Sequence, residues 1–310
     1  MSATVPVAAL VLNWNGRALT EACVASWRRS RPGPRRLLVV DNGSTDGSVA
    51  FLRRRFKGLE ILALPSNLGF AAGNNKGFEA LRRRGPAVEA VFVCNNDTEV
   101  EPDMLGLLWR SLDEHPRWGA AGPRILFHGS RRVWFEGALI RTLSGRSRHL
   151  GYGLEAGPGG EAFELPAQGF VSGCGLLVRS APLRDLRGFD EGLWSYAEDS
   201  DLCLRLRERG LACGVVPRAR MSHKVSSTFV LGSPMKEYYD TRNSYALLRR
   251  HRLGYGALTR SAFVFANLAR AARALALGSP AAARAILDGL SDGVRGIFPM
   301  RLVPAVKGPR

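Results

Sequence analysis

Short apolar runs alternate with amphipathic stretches at the start of the chain, and each run ends on amides, acids or glycines. The run at 5–12 ends in Asn13-Trp14-Asn15-Gly16, and helical periodicity follows over 19–29. A second run, 37–40, ends in Asp41-Asn42-Gly43-Ser44-Thr45-Asp46-Gly47 and leads into a helix over 49–56. A third, 59–64, ends in Pro65-Ser66-Asn67 ahead of a helix over 70–83. The fourth, Val91-Phe92-Val93-Cys94, changes abruptly to Asn95-Asn96-Asp97-Thr98, and the next helix starts in Pro102-Asp103-Met104. Val- and Phe-rich runs without polar alternation suit strands buried on both faces, so the pattern predicts an α/β fold with a doubly wound, mostly parallel sheet.

Beyond Glu114 the alternation stops. Strands are expected over 118–127 and 133–140, then a mobile loop over 141–166, where Gly157-Pro158-Gly159-Gly160 allows no regular element. A buried strand follows Gly173-Cys174-Gly175, and acids at 198, 199 and 201 open a helix over about 200–209 that stops at Gly210. The strand at 213–216 is ended by Pro217, with His223 in a polar loop beyond. From Pro234 on, Ala, Leu and Phe recur at helical spacing among many arginines, predicting two or three basic amphipathic helices. The expected division is 1–230 and 231–310.

Charge and cysteine usage narrow the class. Over 310 residues the formal charge is +17, an excess that attracts phosphate-bearing partners. With no aromatic-basic RNA motif or helix-turn-helix pattern, and the basic residues concentrated in the tail, nucleic acid is not the expected partner. Five cysteines lie far apart without a CxxC pair, which argues for reduced thiols in a cytosolic compartment and against a zinc site. The 5–12 run is too short for a secretory signal, and arginines interrupt the stretch at 258–277 that might otherwise span a membrane. A GxGxxG after the first strand and a Walker loop are both missing, which excludes those nucleotide folds.

Ligands in open α/β sheets sit beyond the carboxyl ends of the strands. Asp97 there can hold a metal or a polar substrate, or it can simply cap a helix. Asp41 can accept the imide N–H of a pyrimidine, or Asp41 to Gly47 can be a capped turn. Gly73 and Gly77 weaken their own helix, which implies something packed against its backbone. Glu198 and Asp199 either complement a helix dipole or, beside Phe189, Trp194 and Tyr196, supply a carboxyl whose pKa apolar walls raise toward general-base use. Those aromatic rings also suit stacking against a sugar. His223 is either structural or a ligand, and the basic tail is either an anionic-bilayer anchor or a solvated subdomain.

Taken together, 5–230 resembles glycosyltransferase family 2, of GT-A fold, in its rhamnosyltransferase-like bacterial branch. Five motifs in order carry the resemblance: Val11-Leu12-Asn13-Trp14-Asn15, the Asp41 to Ser48 segment, Asn67-Leu68-Gly69-Phe70-Ala71-Ala72-Gly73-Asn74-Asn75-Lys76-Gly77, Asn95-Asn96-Asp97 at the DxD position, and Glu198-Asp199. The resemblance implies a nucleotide-sugar donor, dTDP- or UDP-linked, held by Asn13, Asn15, Asp41, Asn67, Gly73, Asn74, Asn75, Asn95 and Asn96. It implies a divalent cation, Mg²⁺ or Mn²⁺, on Asp97 and His223, and Asp199 as the base of an inverting displacement. Asn95 stands where many relatives carry the first acid of the metal motif. Acceptor contacts are expected at Trp194, Tyr196 and Glu198.

The expected activity is transfer of a sugar, rhamnose first, to a saccharide or lipid-linked saccharide acceptor in cell-surface polysaccharide synthesis. Its place would be cytoplasmic, peripheral on the inner face of the membrane. The alternative is a catalytically inactive relative that binds sugar nucleotide or polysaccharide.

Overall fold

A computed structural model describes residues 4–83, 85–141, 144–225 and 233–298. In chain order the elements are β1 (Thr4–Asn13), α1 (Arg17–Arg29), β2 (Gly33–Asp41), α2 (Ser48–Arg55), β3 (Glu60–Ala63), α3 (Gly69–Arg83), β4 (Ala90–Asn95), β5 (Thr98–Val100) and α4 (Met104–Glu114). Then follow β6 (Trp118–Phe127), β7 (Val133–Phe135), β8 (Ala138–Ile140), β9 (Ser147–His149), β10 (Phe163–Glu164), β11 (Gly169–Phe170), β12 (Gly175–Arg179) and α5 (Ser180–Asp185). The last are α6 (Glu198–Arg207), β13 (Ala212–His223), α7 (Pro234–Arg250), α8 (Ala257–Ala276) and α9 (Pro280–Arg295).

The main sheet runs β10-β13-β6-β12-β4-β1-β2-β3, with β5 on β13 and β7 on β6. The β4-β1-β2-β3 part is parallel, and the register aligns the strand ends: Asn13 lies opposite Asp41, and Leu12 opposite Asn95. β12 enters antiparallel between β4 and β6, which sets Gly175 opposite Cys94. Helices cover the strands so tightly that Val7 to Val11 have no exposed surface. α3 comes closest: a Cβ on Gly77 would lie 2.2 Å from Leu10 and 2.9 Å from Val40, and one on Gly73 would lie 2.9 Å from Leu12. The packed object behind those two glycines is therefore the sheet itself.

Four expectations are corrected. The single strand over 133–140 is two, β7 and β8, because Gly137 turns the chain at φ 87 and a Cβ there would meet Leu165. The expected loop over 141–166 contains β9 and β10, the latter paired with β13. β13 does not stop at Pro217: pairing lapses there, since proline has no N–H to donate, and resumes at Arg220 opposite Arg124. His223 accordingly ends a strand, paired with Thr98 of β5, and does not lie in a loop. Four of the five cysteines, remote along the chain, meet in space as two thiol pairs, Cys23 with Cys94 and Cys203 with Cys213, and all five are buried and free.

The chain forms two compact units. The first comprises the sheet and its helices; the second takes in 140–148, 191–198 and the described residues from Ser233 on. In the second unit Trp194, Tyr238, Tyr239 and Ala285 form one buried cluster, and Tyr245, Leu248, Phe263 and Leu290 another. No described helix is long and apolar enough to cross a membrane.

Small residues let α7 and α9 touch backbone to backbone: a Cβ on Gly289 would lie 2.4 Å from the Tyr238 carbonyl oxygen. That oxygen belongs to a helix and cannot retreat. Gly289→Ala should therefore destabilise by about 1–3 kcal/mol despite alanine's better helix propensity. Urea unfolding checks this, and a variant as stable as the parent would refute the contact.

Candidate functional site

Asn13, at the tip of β1, is fully buried and uses its whole amide. Its Nδ2 donates to Asp41 Oδ2 at 2.7 Å and to Ser44 Oγ at 3.2 Å. Its Oδ1 accepts from Gly16 N (3.2 Å), Thr20 Oγ1 (2.7 Å) and Asn96 Nδ2 (2.9 Å). One side chain thus ties together the ends of β1, β2 and β4. Asp41 Oδ1 accepts from Ser44 N at 2.9 Å, and Asn15 Oδ1 accepts from Thr45 N at 2.8 Å, so the Asp41 turn closes on the first strand's tip. Each Asp41 oxygen has one such bond here, which leaves lone pairs for a ligand.

Other expected donor residues hold the protein to itself. Asn67 Oδ1 accepts from Gly69 N and from Asn42 Nδ2, capping α3. Asn74 Nδ2 donates back to Phe70 O, while its buried Oδ1 has no partner among the described residues. Asn75 exchanges two bonds with the Phe189 backbone and pins that loop. Asn96 bridges Asn13 and Thr20, and Gly73 faces Leu12 and Asn42. Asn95 ends β4 with its carbonyl taken by Thr98 Oγ1 at 2.7 Å. Gly73, Asn75 and Asn96 thus each have a place in the packing or hydrogen bonding of the protein itself.

Asp97 and His223 do converge. His223 Nε2 lies 3.2 Å from Asp97 Oδ1, both side chains more than nine-tenths buried, because β13 ends alongside the turn between β4 and β5. His223 Nδ1 is buried without a partner among the described residues. An oxygen and an imidazole nitrogen facing each other suit a divalent cation that takes the rest of its shell from phosphate and water. Among the described residues no group of three or more acidic, His or Cys side chains gathers for one, so the protein alone would hold it incompletely.

Asp199 sits at the start of α6 and keeps part of its surface open. It accepts from Gly173 N at 2.9 Å and from Ser200 N at 2.6 Å. Burial nonetheless pushes its carboxyl above the usual aspartate range, against those donors and the nearby His149 imidazole. Cys174 joins the two carboxylates: its thiol is pushed up by burial and by the negative charges of Asp97 and Asp199. Both acids are thus within electrostatic reach of one thiol.

Two residues in this region went unforeseen. The Trp134 ring lies edge to face with both His223, at 4.4 Å, and His149, at 5.4 Å. It thereby links the Asp97 pair to the histidine near Asp199. The outward position of Trp134 in the alternating β7 was a signal; His149, in the segment read as a loop, had none.

In the second unit Trp194 is buried and stacked on Tyr239 at 4.8 Å, so that ring is part of the unit's core. Tyr196 lies under the Lys236 ammonium, 5.6 Å from the ring centre, and its phenol is pushed up by burial and by the carboxylates of Asp240 and Glu198. Glu198 itself is buried. Trp194, Tyr196 and Ala197 all take positive φ (62, 69 and 67), a costly conformation for side chains of this size. Asn243 of α7 holds that loop by donating to the carbonyls of Leu193, Ser195 and Tyr196, and Arg242 donates to those of Gly192 and Leu193. Neither residue is distinguishable in sequence from the surrounding basic helix.

Two solved structures share this shape. A mannosyltransferase from Pyrobaculum calidifontis, solved with GDP-Man and Mn²⁺, matches 94% of this chain and 89% of its own at TM-score 0.58 and 16% identity. GalNAc-T7, solved with UDP, GalNAc and Mn²⁺, matches 84% of this chain and 53% of its own at TM-score 0.58 and 13% identity. At such identities the likeness concerns the fold, which is that of the GT-A glycosyltransferases. In sequence, Glycosyl transferase family 2 matches residues 9–183. Over 229 residues the chain is 31% identical to the N-acetylglucosaminyl-diphospho-decaprenol L-rhamnosyltransferase of Mycobacterium tuberculosis, covering 67% of this chain and 73% of that one. It is 32% identical over 197 residues to the same organism's pre-mycofactocin glycosyltransferase, spanning 61% of this chain but 37% of that protein. The chain belongs to glycosyltransferase family 2, in its rhamnosyltransferase-like branch.

Asn13→Ala removes the common partner of Asp41, Ser44, Thr20 and Asn96 and leaves buried polar groups unpaired. A loss of roughly 2–4 kcal/mol is expected, read as a lower denaturation midpoint at unchanged slope. A loss under about 0.5 kcal/mol would mean the network re-pairs without Asn13.

Proposed function

We propose that the chain is an inverting glycosyltransferase that moves a sugar, rhamnose before other hexoses, from a dTDP- or UDP-sugar to a saccharide or lipid-linked saccharide. The observation that supports this best is the buried Asp97–His223 pair, with Asp199 in electrostatic reach of the same thiol as Asp97, in a family 2 chain. The rhamnosyl donor and a polyprenyl-diphosphate acceptor are first choices because of the substrate in the name of the mycobacterial relative. We assign the work to the inner face of the membrane, with a catalytic region over 1–230 and a basic helical region over 231–310.

In this reading Asp41 accepts the pyrimidine N–H with its unused lone pairs, while Asn13 and Asn15 hold the turn that carries it. Asp97 and His223 would hold Mg²⁺ or Mn²⁺, which would offset the charge on the departing diphosphate. Asp199 takes the proton of the acceptor hydroxyl as that oxygen bonds to the anomeric carbon. The bond to the nucleoside diphosphate breaks on the opposite face, which inverts the anomeric centre. Burial serves this role, since a base with a raised pKa holds the abstracted proton more firmly.

Asp199→Asn should lower kcat by roughly 100- to 10,000-fold with KM for the donor little changed. Because a base must be ionised, parent kcat/KM should fall as pH drops through the raised Asp199 pKa, above the ordinary aspartate value of 3.8. The same sign makes ionised Asp199 a cost that appears as pH rises through its folded pKa. The asparagine variant should therefore be no less stable at neutral pH. Unchanged donor turnover in Asp199→Asn would refute the assignment and favour a binding relative.

A panel of nucleotide sugars with Mg²⁺ or Mn²⁺ should single out one donor by turnover and by a thermal shift. A chelator should abolish that turnover, and Asp97→Ala should match it. Full activity in chelator would remove the cation from the mechanism.

A further inference from the structure

α8 has two opposed faces. Thr259, Phe263, Asn267 and Ala271 are buried within the second unit. On the other side Leu258, Phe265, Leu268 and Leu275 are 61, 70, 43 and 55% exposed. Scattered exposed leucines are ordinary, but a continuous stripe along one helix is a contact surface. The chain around it has no carboxylate between Asp240 and Asp288, a span that includes Arg249, Arg250, Arg252, Arg260, Arg273 and Arg284. At 100° per residue Arg260 and Arg273 fall on either flank of the stripe. Neither has an acidic partner among the described residues. Beside Arg260 a groove of about 300 Å³ opens between Tyr245 of α7 and Ala257, Ser261, Val264 and Phe265 of α8.

We propose that α8 is a membrane-docking helix that lies in the plane of an anionic phospholipid bilayer. Leu258, Phe265, Leu268 and Leu275 enter the acyl boundary, Arg260 and Arg273 sit at phosphate level, and the Tyr245 groove seats one phospholipid headgroup. The proposal rests on the reading of the chain as an enzyme of lipid-linked acceptors and adds the surface through which it reaches them. An apolar stripe between cationic flanks is the composition such helices require. A second copy is a poorer occupant, since two chains of charge +17 would meet through acid-free helices. A nucleic acid would satisfy the arginines and leave the stripe in water.

The test uses the full chain with vesicles of phosphatidylcholine, alone or mixed with phosphatidylglycerol. Sedimentation should find the protein on the anionic vesicles only. The double variant Phe265→Ser/Leu268→Ser, and separately Arg260→Gln/Arg273→Gln, should each weaken binding on the order of tenfold or more. Their thermal midpoints should stay at the parent value, because Phe265, Leu268 and Arg273 are exposed and Arg260 bonds no acid among the described residues. A Phe265→Trp variant should show a blue-shifted indole emission when anionic vesicles are added. Unchanged binding by the apolar double variant, or an emission unmoved by vesicles, overturns the proposal. So does a parent dimer that this variant converts to monomer with vesicle binding intact, which would give the face to a second copy. Donor turnover is measured without vesicles. A chain that turns over donor but ignores vesicles sinks only the docking, and one that docks without turnover sinks only the catalytic reading.

Discussion

A buried primary amide must have all its hydrogen bonds or cost the fold several kcal/mol, and Asn13 meets that requirement by reaching from the end of β1 to those of β2 and β4 and to the first turn of α1. Parallel strands leave their carboxyl ends open, where loops of different length would otherwise drift. With Asn13 opposite Asp41 in the ladder and Asn96 bonded to the same amide, the rim of the sheet becomes one connected object. The Asp41 turn, the first turn of α1 through Thr20, and the Asn95 to Asp97 corner are all positioned from it. A carboxylate at position 97 can be aimed only because the residue before it is tethered.

That economy explains why so many of the polar residues around the rim have structural work. Asn67 caps α3, Asn75 pins the Phe189 loop, and the α3 glycines allow helix and sheet to meet. A motif of asparagine and glycine thus reads as a binding signature in sequence while acting as scaffold in space. The groups left with unusual environments are few. Asp199 is held by two backbone N–H donors yet still raised by burial, and Asp97 faces a histidine across 3.2 Å. Ahead of Asp199, three consecutive-region residues at positive φ show local strain that Asn243 and Arg242 hold in place. Strain of this kind persists only where neighbours overdetermine it.

The elements of the first half were legible because hydrophobic runs and capping residues are local signals: β1, β2, β4 and the helices between them fall within a few residues of their expected bounds. Asp97 and His223 could be paired only by resemblance, since their meeting depends on β13 continuing past Pro217 to lie beside β5. A proline inside a strand is locally a stop, and only the bulge in register overrides it. The burial of Trp194 was hidden for a related reason. An aromatic residue beside acids looks like a sugar platform, but stacking on Tyr239 depends on a helix some forty residues away in sequence. Burial is a property of the partner, and the partner is not in the window.

The raised Asp199 carboxyl and the acid-free tail apply electrostatics in opposite ways. Around Asp199 the protein removes water and accepts the resulting cost to ionisation, offset by the Gly173 and Ser200 N–H groups. Along α8 the charges stay solvated, so their influence is long in range and sensitive to salt. A buried group with a shifted pKa acts on atoms in contact with it, whereas a solvated row of arginines acts on whatever large anion approaches. The second unit's core is aromatic and aliphatic, with Arg242 as its one fully buried arginine among the described residues, so it does not draw on the exposed charges of α8. The arginines on its surface are therefore free of structural duty in proportion to their exposure. Arg270 marks the boundary: bonded to Glu237 it belongs to the fold, while Arg273, nearly one turn further along the same helix, does not.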